Sequence, residues 1–435
     1  MESIWVKSAP KVEFNALDGN ENTDVLIVGG GIAGLMCAYK LWKAGVDCML
    51  VEATDICQGI TKNTTAKITI GHGFIYHKLI NTFGEKRAKL YLDAQVHAWN
   101  EYAELCKQID CDYQIKDNYV YSLDNKEVVK NEVRALRLLG IRAELSDACE
   151  LPIEVAGSVR VGTQAAFHPL KFLYSISKDL PIFENTKVIE IAPYKAVTNR
   201  GVITYNKLII ATHFPVLNKH GGYFLKLYQH RSYVMALKGA QEINGMYVDG
   251  AHTGLSFRGY GDLLLLGGGG HRTGKQGSCW KELELFTEKY YKGAQIVGKW
   301  ATQDCMTLDG VPYIGQYSKS TPNTFVATGF NKWGMTNAMV ASNILADLVR
   351  GRHNPYADVF SPSRSILRPQ LIANAFESTV GLITPTKPRC PHLGCALKYN
   401  REEHSWDCPC HGSRFDENGE VIDNPATDDH LSIGR

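Results

Sequence analysis

The sequence predicts an α/β protein in three parts, and three observations predict it. A buried strand, a glycine-rich turn and a helix open the chain. Short strands fill its middle, and four of its 12 cysteines crowd into positions 390–410. At 435 residues the chain exceeds what one compact core holds, so more than one domain is expected. Hydrophobic residues at 44% and charged residues at 21% are ordinary globular values.

The net charge of +2 gives no reason to expect nucleic acid or a membrane surface as a partner. From Cys390 onward, 4 Lys/Arg stand against 9 Asp/Glu, a net −5 that leaves +7 on the rest; the contrast would favour docking of the tail on the body, but solvated faces produce similar imbalances. Glu2, Lys7, Lys11 and Glu13 interrupt the start, so no secretory signal is expected. The longest apolar runs, Val25 to Val28 and Leu263 to Leu266, are strand length. A cytoplasmic location is expected, where disulfides are rare and scattered cysteines serve as small core residues.

Asp24 to Val28 reads as a buried strand, Ile32 to about Ala44 as a helix and Val46 to Glu52 as the next strand, which completes a βαβ unit. The turn between them, Gly29-Gly-Gly31-Ile32-Ala33-Gly34, holds G-x-G-x-x-G, and Glu52 follows Gly34 by 18 residues. Gly29 permits the tight turn, Gly31 lets the backbone approach a pyrophosphate, and Gly34 lets helix and strand pack closely. The helix N-terminus offers unpaired N–H groups to phosphates, and Glu52 accepts from ribose hydroxyls. The stretch 85–108 has helical spacing, with Leu92, Val96, Trp99 and Ala103 on one face. Strands are expected at 186–192, 201–205, 207–211, 231–237, 263–266 and 324–328, with a last helix at 336–350. Prolines 362, 369, 385 and 388 predict a linker over 366–389 with little regular structure.

Leu208-Ile-Ile-Ala-Thr212 and Thr324-Phe-Val-Ala-Thr-Gly-Phe-Asn-Lys-Trp-Gly-Met-Thr336, taken with the glycine turn, resemble the FAD-dependent D-amino-acid oxidase superfamily, which includes glycine and sarcosine oxidases. The resemblance spans roughly residues 20–365. It implies a Rossmann-like FAD-binding domain from 20–80, 151–215 and 301–365, and an α+β substrate domain of mixed or antiparallel sheet from 81–150 and 216–300. It also implies that Gly329, Gly334, Met335 and Thr336 surround the flavin ring, and that Val188 and Thr212 join the FAD site, Val188 at the adenine end. The segment 59–67, with Thr65, Ala66 and Lys67, would run beside the ribityl chain and ring. A second G-x-G-x-x-G is absent, so nicotinamide is not expected. Among catalytic candidates, His72 would lie beside the flavin, Trp333 would shape the substrate side, and Arg258 and His271 would bind a carboxylate; structural roles compete at each. Some relatives attach flavin through a cysteine, but the spacing around Cys305 differs, so noncovalent FAD is expected.

Cys390-Pro-His392-Leu-Gly-Cys395 and Cys408-Pro-Cys410-His411-Gly-Ser413 are the most specific features of the chain. Four Cys/His ligands also suit tetrahedral zinc, but a zinc knuckle does not need six such residues so arranged. The pattern resembles Rieske proteins closely. That resemblance implies a [2Fe-2S] cluster with Cys390 and Cys408 on one iron, His392 and His411 on the other, and a Cys395–Cys410 disulfide joining the loops. Phe415 stands where high-potential Rieske proteins carry a tyrosine, which implies a lower potential. Only about twenty residues separate Arg368 from Cys390, so 390–435 is expected to be a small, β-rich, truncated module that leans on the body. Together the parts imply an FAD-dependent oxidoreductase acting at the C–N bond of a small amine or amino acid, with electrons passing between flavin, cluster and an external electron-transfer protein. The alternatives are a reductase of an unsaturated small molecule, or an electron-transfer or redox-sensing protein without such a substrate.

Overall fold

A computed structural model describes residues 2–147, 149–217, 220–251 and 254–427, so the last eight residues expected in the C-terminal module lie outside the described ones. The N-terminal βαβ unit forms with strands Glu21–Val28 and Cys48–Val51 around helix Ile32–Lys43. In its sheet the order is Tyr313–Ser318, Thr321–Thr328, Val202–Ile210, Glu21–Val28, Cys48–Val51, Ile182–Phe183. The four middle strands are parallel. Residues of the first strand alternate between two cores, as a period of two requires. Val25 and Ile27 pack with Leu35 and Met339 on one side, while Leu26 and Val28 join Leu208, Ile210 and Tyr313 on the other.

The second sheet has nine strands. Its long antiparallel members, Leu227–Lys238, Leu263–Arg272 and Gln295–Thr307, bury Tyr233, Met235, Leu237, Leu264 and Leu266 against helix Cys279–Tyr290. Two expected boundaries move. Strand Gly157–Ala166 pairs with Gln114–Ser122, and Gln295–Thr307 with Leu227–Lys238, so both ladders belong to this sheet rather than to the 151–215 and 301–365 portions of the FAD domain. Helix Glu85–Cys106 buries Ala88, Tyr91, Leu92, Gln95, Ala98 and Tyr102, and the expected Val96 and Trp99 pack half-buried against the same core.

The linker also departs from expectation, because Pro369–Ile383 is a 15-residue helix. Pro369 occupies its first turn, where a missing N–H costs nothing. The C-terminal module is a four-stranded antiparallel sheet of Lys398–Asn400, Ser405–Asp407, Arg414–Phe415 and Val421–Asp423. Among the described residues no helix is long and apolar enough to cross a membrane.

Candidate functional site

One cavity of about 1050 Å³ runs between the two large sheets and reaches the C-terminal module. At one end lie Gly29, Gly31, Ile32, Ala33, Glu52 and Val188, and further along Thr212, Gly329, Gly334 and Met335. Gly29 has φ +111°, and a Cβ there would stand 2.7 Å from the Ala211 carbonyl oxygen. Gly34 does not line the cavity; a Cβ on it would meet the Gly29 oxygen at 1.9 Å, so it is the close-packing glycine that lets helix and strand meet. Glu52 accepts from Gly30 N at 2.7 Å and Thr54 N at 3.0 Å, which fixes its carboxylate at the cavity wall. A shaped cleft at a helix N-terminus, with an anchored carboxylate at the end of the second strand, fits a dinucleotide.

Thr65 and Lys67 line the same cavity, and Ala66 is buried behind them with φ +53°. Arg258 explains that turn. Its guanidinium donates to the carbonyls of Thr65, of Ala66 at 2.9 Å and of Phe167 at 2.9 Å. It therefore holds the segment's backbone from behind and does not line the cavity, contrary to a carboxylate-binding role. His271 does not line the cavity either; it stands 3.0 Å from the Tyr233 hydroxyl, near the C-terminal module.

His72 and Trp333 do line the cavity, with their rings stacked at 4.8 Å. Both nitrogens of His72 are engaged: Nδ1 accepts from Tyr91 at 2.8 Å, and Nε2 donates to the Thr69 carbonyl at 2.9 Å. Thr336 Oγ1 lies 3.0 Å from the same Nε2. Burial lowers the His72 pKa to about 3, so the ring is neutral. A neutral ring with no idle nitrogen is a brace for Trp333 and helix Gly334–Val349, not a base.

In the C-terminal module the same turn is built twice. Gly394 N donates to Cys390 O and Gly412 N to Cys408 O, each at 2.9 Å, with both glycines at positive φ. The two turns bring Cys390 and Cys408 together among buried residues and set the rings of His392 and His411 4.9 Å apart. Contact with Cys408 pulls the Cys390 pKa below that of an ordinary thiol, helped by the Ser413 hydroxyl and the backbone N–H groups of His392 and Leu393. Cys395 and Cys410 are joined as a disulfide whose sulfurs lie within 4.8 Å of Cys408. Two thiols beside two imidazoles, with both nitrogens of the deeply buried His411 lacking a hydrogen bond in normal geometry, fit a metal cluster.

Two features had no signal in a single sequence. The first is the joint between module and body. Glu403 takes a bidentate contact from Arg231, 3.0 Å at Nε, and further bonds from Arg414 at 2.9 Å and Tyr233 at 2.8 Å. Gln229 donates to the carbonyls of His411 and Asn424, and Gln303 to that of Gly412. His411 is consequently only 2% exposed, walled by Phe214 and Phe224. The second is a pair of opposite charges in the cavity wall, Asp304 and Lys332. Only partners far apart in sequence reveal either one.

A family model of FAD dependent oxidoreductases matches residues 24–348, and a Rieske [2Fe-2S] domain model matches residues 375–433. The Rieske 2Fe-2S iron-sulfur protein YhfW of Bacillus subtilis (strain 168) is 33% identical across 98% of this chain and 96% of its own length. Gamma-glutamylputrescine oxidoreductase of Escherichia coli (strain K12) is 24% identical across 80% of this chain and 89% of its own. The crystal structure of glycine oxidase from Geobacillus kaustophilus shares the fold, with a TM-score of 0.67 at 17% identity, covering 79% of this chain and 99% of that one. The large domain binds FAD and the small one a [2Fe-2S] cluster. The chain belongs to the D-amino-acid-oxidase-type family of FAD-dependent oxidoreductases and carries a Rieske [2Fe-2S] domain at its C-terminal end.

Proposed function

We propose that the protein oxidises the C–N bond of a small amine or amino acid and sends the electrons through its cluster to an external redox protein. Bound FAD supplies two-electron hydride chemistry, whereas a Rieske cluster carries one electron at a time. One observation carries the reading. The cavity that holds the dinucleotide cradle is also walled by Val421, Asp423 and Asn424 of the cluster-binding module. A carrier whose cluster served only outside partners would gain nothing from that shared wall.

In this reading Cys390 and Cys408 hold one iron and His392 and His411 the other, with the Cys395–Cys410 disulfide keeping the two turns together. Gly29, Gly31 and the first turn of helix Ile32–Lys43 receive the pyrophosphate, and Glu52 the ribose. Arg258 fixes the Thr65–Lys67 segment, and the His72–Trp333 stack closes the site toward helix Gly334–Val349. Asn424 donates to the Phe214 carbonyl at 3.0 Å and to that of Thr212, a residue of the cavity wall. The binding module is thereby locked to the FAD domain.

Anaerobic mixing of the purified protein with a panel of amines, amino acids and unsaturated acceptors tests the reading. Visible spectra follow the flavin and EPR the cluster. An amine or amino acid should bleach the flavin and then reduce the cluster, and acid denaturation should release the flavin from the chain. Bleaching without cluster reduction removes the relay. Reoxidation of the reduced protein by an unsaturated acceptor, with no amine bleaching it, would favour the reductase.

A further inference from the structure

The cavity wall contributed by the second sheet is mostly small or neutral: Tyr228, Ser232, Val234, Ser256 and Thr302. Asp304, on strand Gln295–Thr307, breaks that pattern, as do Lys67 and Asp249. It is shielded from bulk solvent yet opens on the cavity, and it faces Lys332 from the turn before helix Gly334–Val349. The turn is built to put it there. Asn331 and Lys332 both have positive φ, 52° and 71°, a conformation that costs about 1 kcal/mol or more per residue outside glycine. Asn331 holds it by accepting from Thr307 N at 2.8 Å, donating to Gly329 O, and closing Asn331 N onto Cys305 O at 3.1 Å. The strand that carries Asp304 and the turn that carries Lys332 are thus stitched together beside the pair.

The other lining carboxylates are occupied. Glu52 accepts from two backbone amides, Asp249 from Ala251 N, and Asp423 pairs with Arg414. Among the described residues no arginine lines the cavity, and Arg258 spends its fork on carbonyls. Bidentate recognition of a substrate carboxylate calls for an arginine fork. The Lys332 charge acts on Asp304 through space, and a carboxylate has lone pairs enough to accept from a substrate ammonium.

We propose that Asp304, set against Lys332, recognises the substrate nitrogen as a cation and accepts its proton, so the substrate is an alkylamine presented by its ammonium group rather than an amino acid held by its carboxylate. The inference rests on the amine-oxidising reading and narrows it. The step balances: one N–H proton passes from the ammonium to an Asp304 oxygen, which frees the nitrogen lone pair. The α C–H bond then breaks, its hydrogen leaving with the electron pair to the bound FAD, and the C=N bond forms. Burial raises the Asp304 pKa to about 6, with Lys332 and Arg231 opposing the rise. That value suits a group that gains and loses a proton near neutrality. His230 lies opposite Asp304 in register, and His213 and Asp423 share the cavity wall.

The test titrates the FAD-loaded protein with n-butylamine and with butyrate, reading perturbation of the oxidised flavin spectrum without turnover. Butylamine should bind and butyrate should not. Butylamine stays protonated throughout, so its binding should weaken as pH falls through about 6 and Asp304 loses its charge. Asp304→Asn should weaken butylamine about 10- to 150-fold, the loss of one charge-assisted contact, and flatten that pH profile, while Asp304→Glu restores both in part. Tighter binding of butyrate than butylamine by the wild type, or full amine affinity in Asp304→Asn, overturns the proposal. If Asp304→Asn fails to fold, the wild-type preference and Asp304→Glu decide. Amine binding without flavin bleaching would defeat the oxidase reading and spare the subsite.

Discussion

Replacing Glu403 with Gln tests whether the cluster-binding module is fixed to the body by its buried charges. Glu403 meets Arg231 and Arg414, whose side chains are 3% and 5% exposed, and its own carboxylate is 9% exposed. The two arginines hold the Glu403 pKa below the usual carboxylate range. After Glu403→Gln, the carboxylate left to Arg231 among the described residues is Asp423 at 3.8 Å, whereas Arg414 keeps Asp407 and Asp423 at 2.9 and 3.0 Å. The loss therefore falls on Arg231, the body's side of the joint. Uncompensating a buried charge costs about 3–5 kcal/mol; the amide retains an acceptor, so about 3 kcal/mol is expected, near 150-fold in the docking equilibrium. In the wild type, flavin fluorescence and the cluster's visible circular dichroism should melt together. In Glu403→Gln the cluster signal should melt first, and electron transfer from flavin to cluster should slow. Adding Arg231→Met to Glu403→Gln should cost much less than the sum of the two single changes. Coincident melting and an unchanged transfer rate in Glu403→Gln would refute the reasoning.

Two further outcomes follow from other parts of the structure. Phe415 is fully buried beside Cys390 and Cys408, so Phe415→Tyr adds a donor in that core; a hydrogen bond of about 1 kcal/mol to a cluster sulfur should raise the midpoint on the order of 40 mV, read by EPR-monitored titration. An unchanged or lower midpoint would show that the hydroxyl does not reach the cluster. Gly34→Ala drives a Cβ into the Gly29 oxygen, and overpacking of about 1–3 kcal/mol at the pyrophosphate turn should weaken FAD roughly 10- to 100-fold, measured by flavin retained after gel filtration. Full retention would mean that the helix can retreat at no cost.

What the sequence made legible were features whose partners lie close along the chain. The glycine turn, Glu52 and the two ligand loops each obey a spacing set by one turn or one strand. Arg231 and Glu403 are 172 positions apart, and nothing local marks them as a pair. Asp304 and Lys332 read as ordinary surface charges until the fold turns both toward one cavity. The helix at Pro369–Ile383 escaped because proline reads as a breaker, although in a first turn it is a good beginning. His72 is expected beside the flavin from the resemblance, and the structure sets it in the cavity wall, but only its three-dimensional partners show that both its nitrogens are spent.

The burial of His411 against Phe214 and Phe224 has a kinetic meaning. A cluster head that swings between donor and acceptor pays a diffusive search on every cycle, so its throughput falls in viscous solvent. Here the imidazole is already packed against the body, and the module is held by contacts to Gln229, Gln303 and Arg231 as well as by the tether helix. Under the proposed relay, internal transfer would be governed by a fixed distance and would be indifferent to viscosity. In that reading only the last hand-off, to the proposed external protein, would remain a collision.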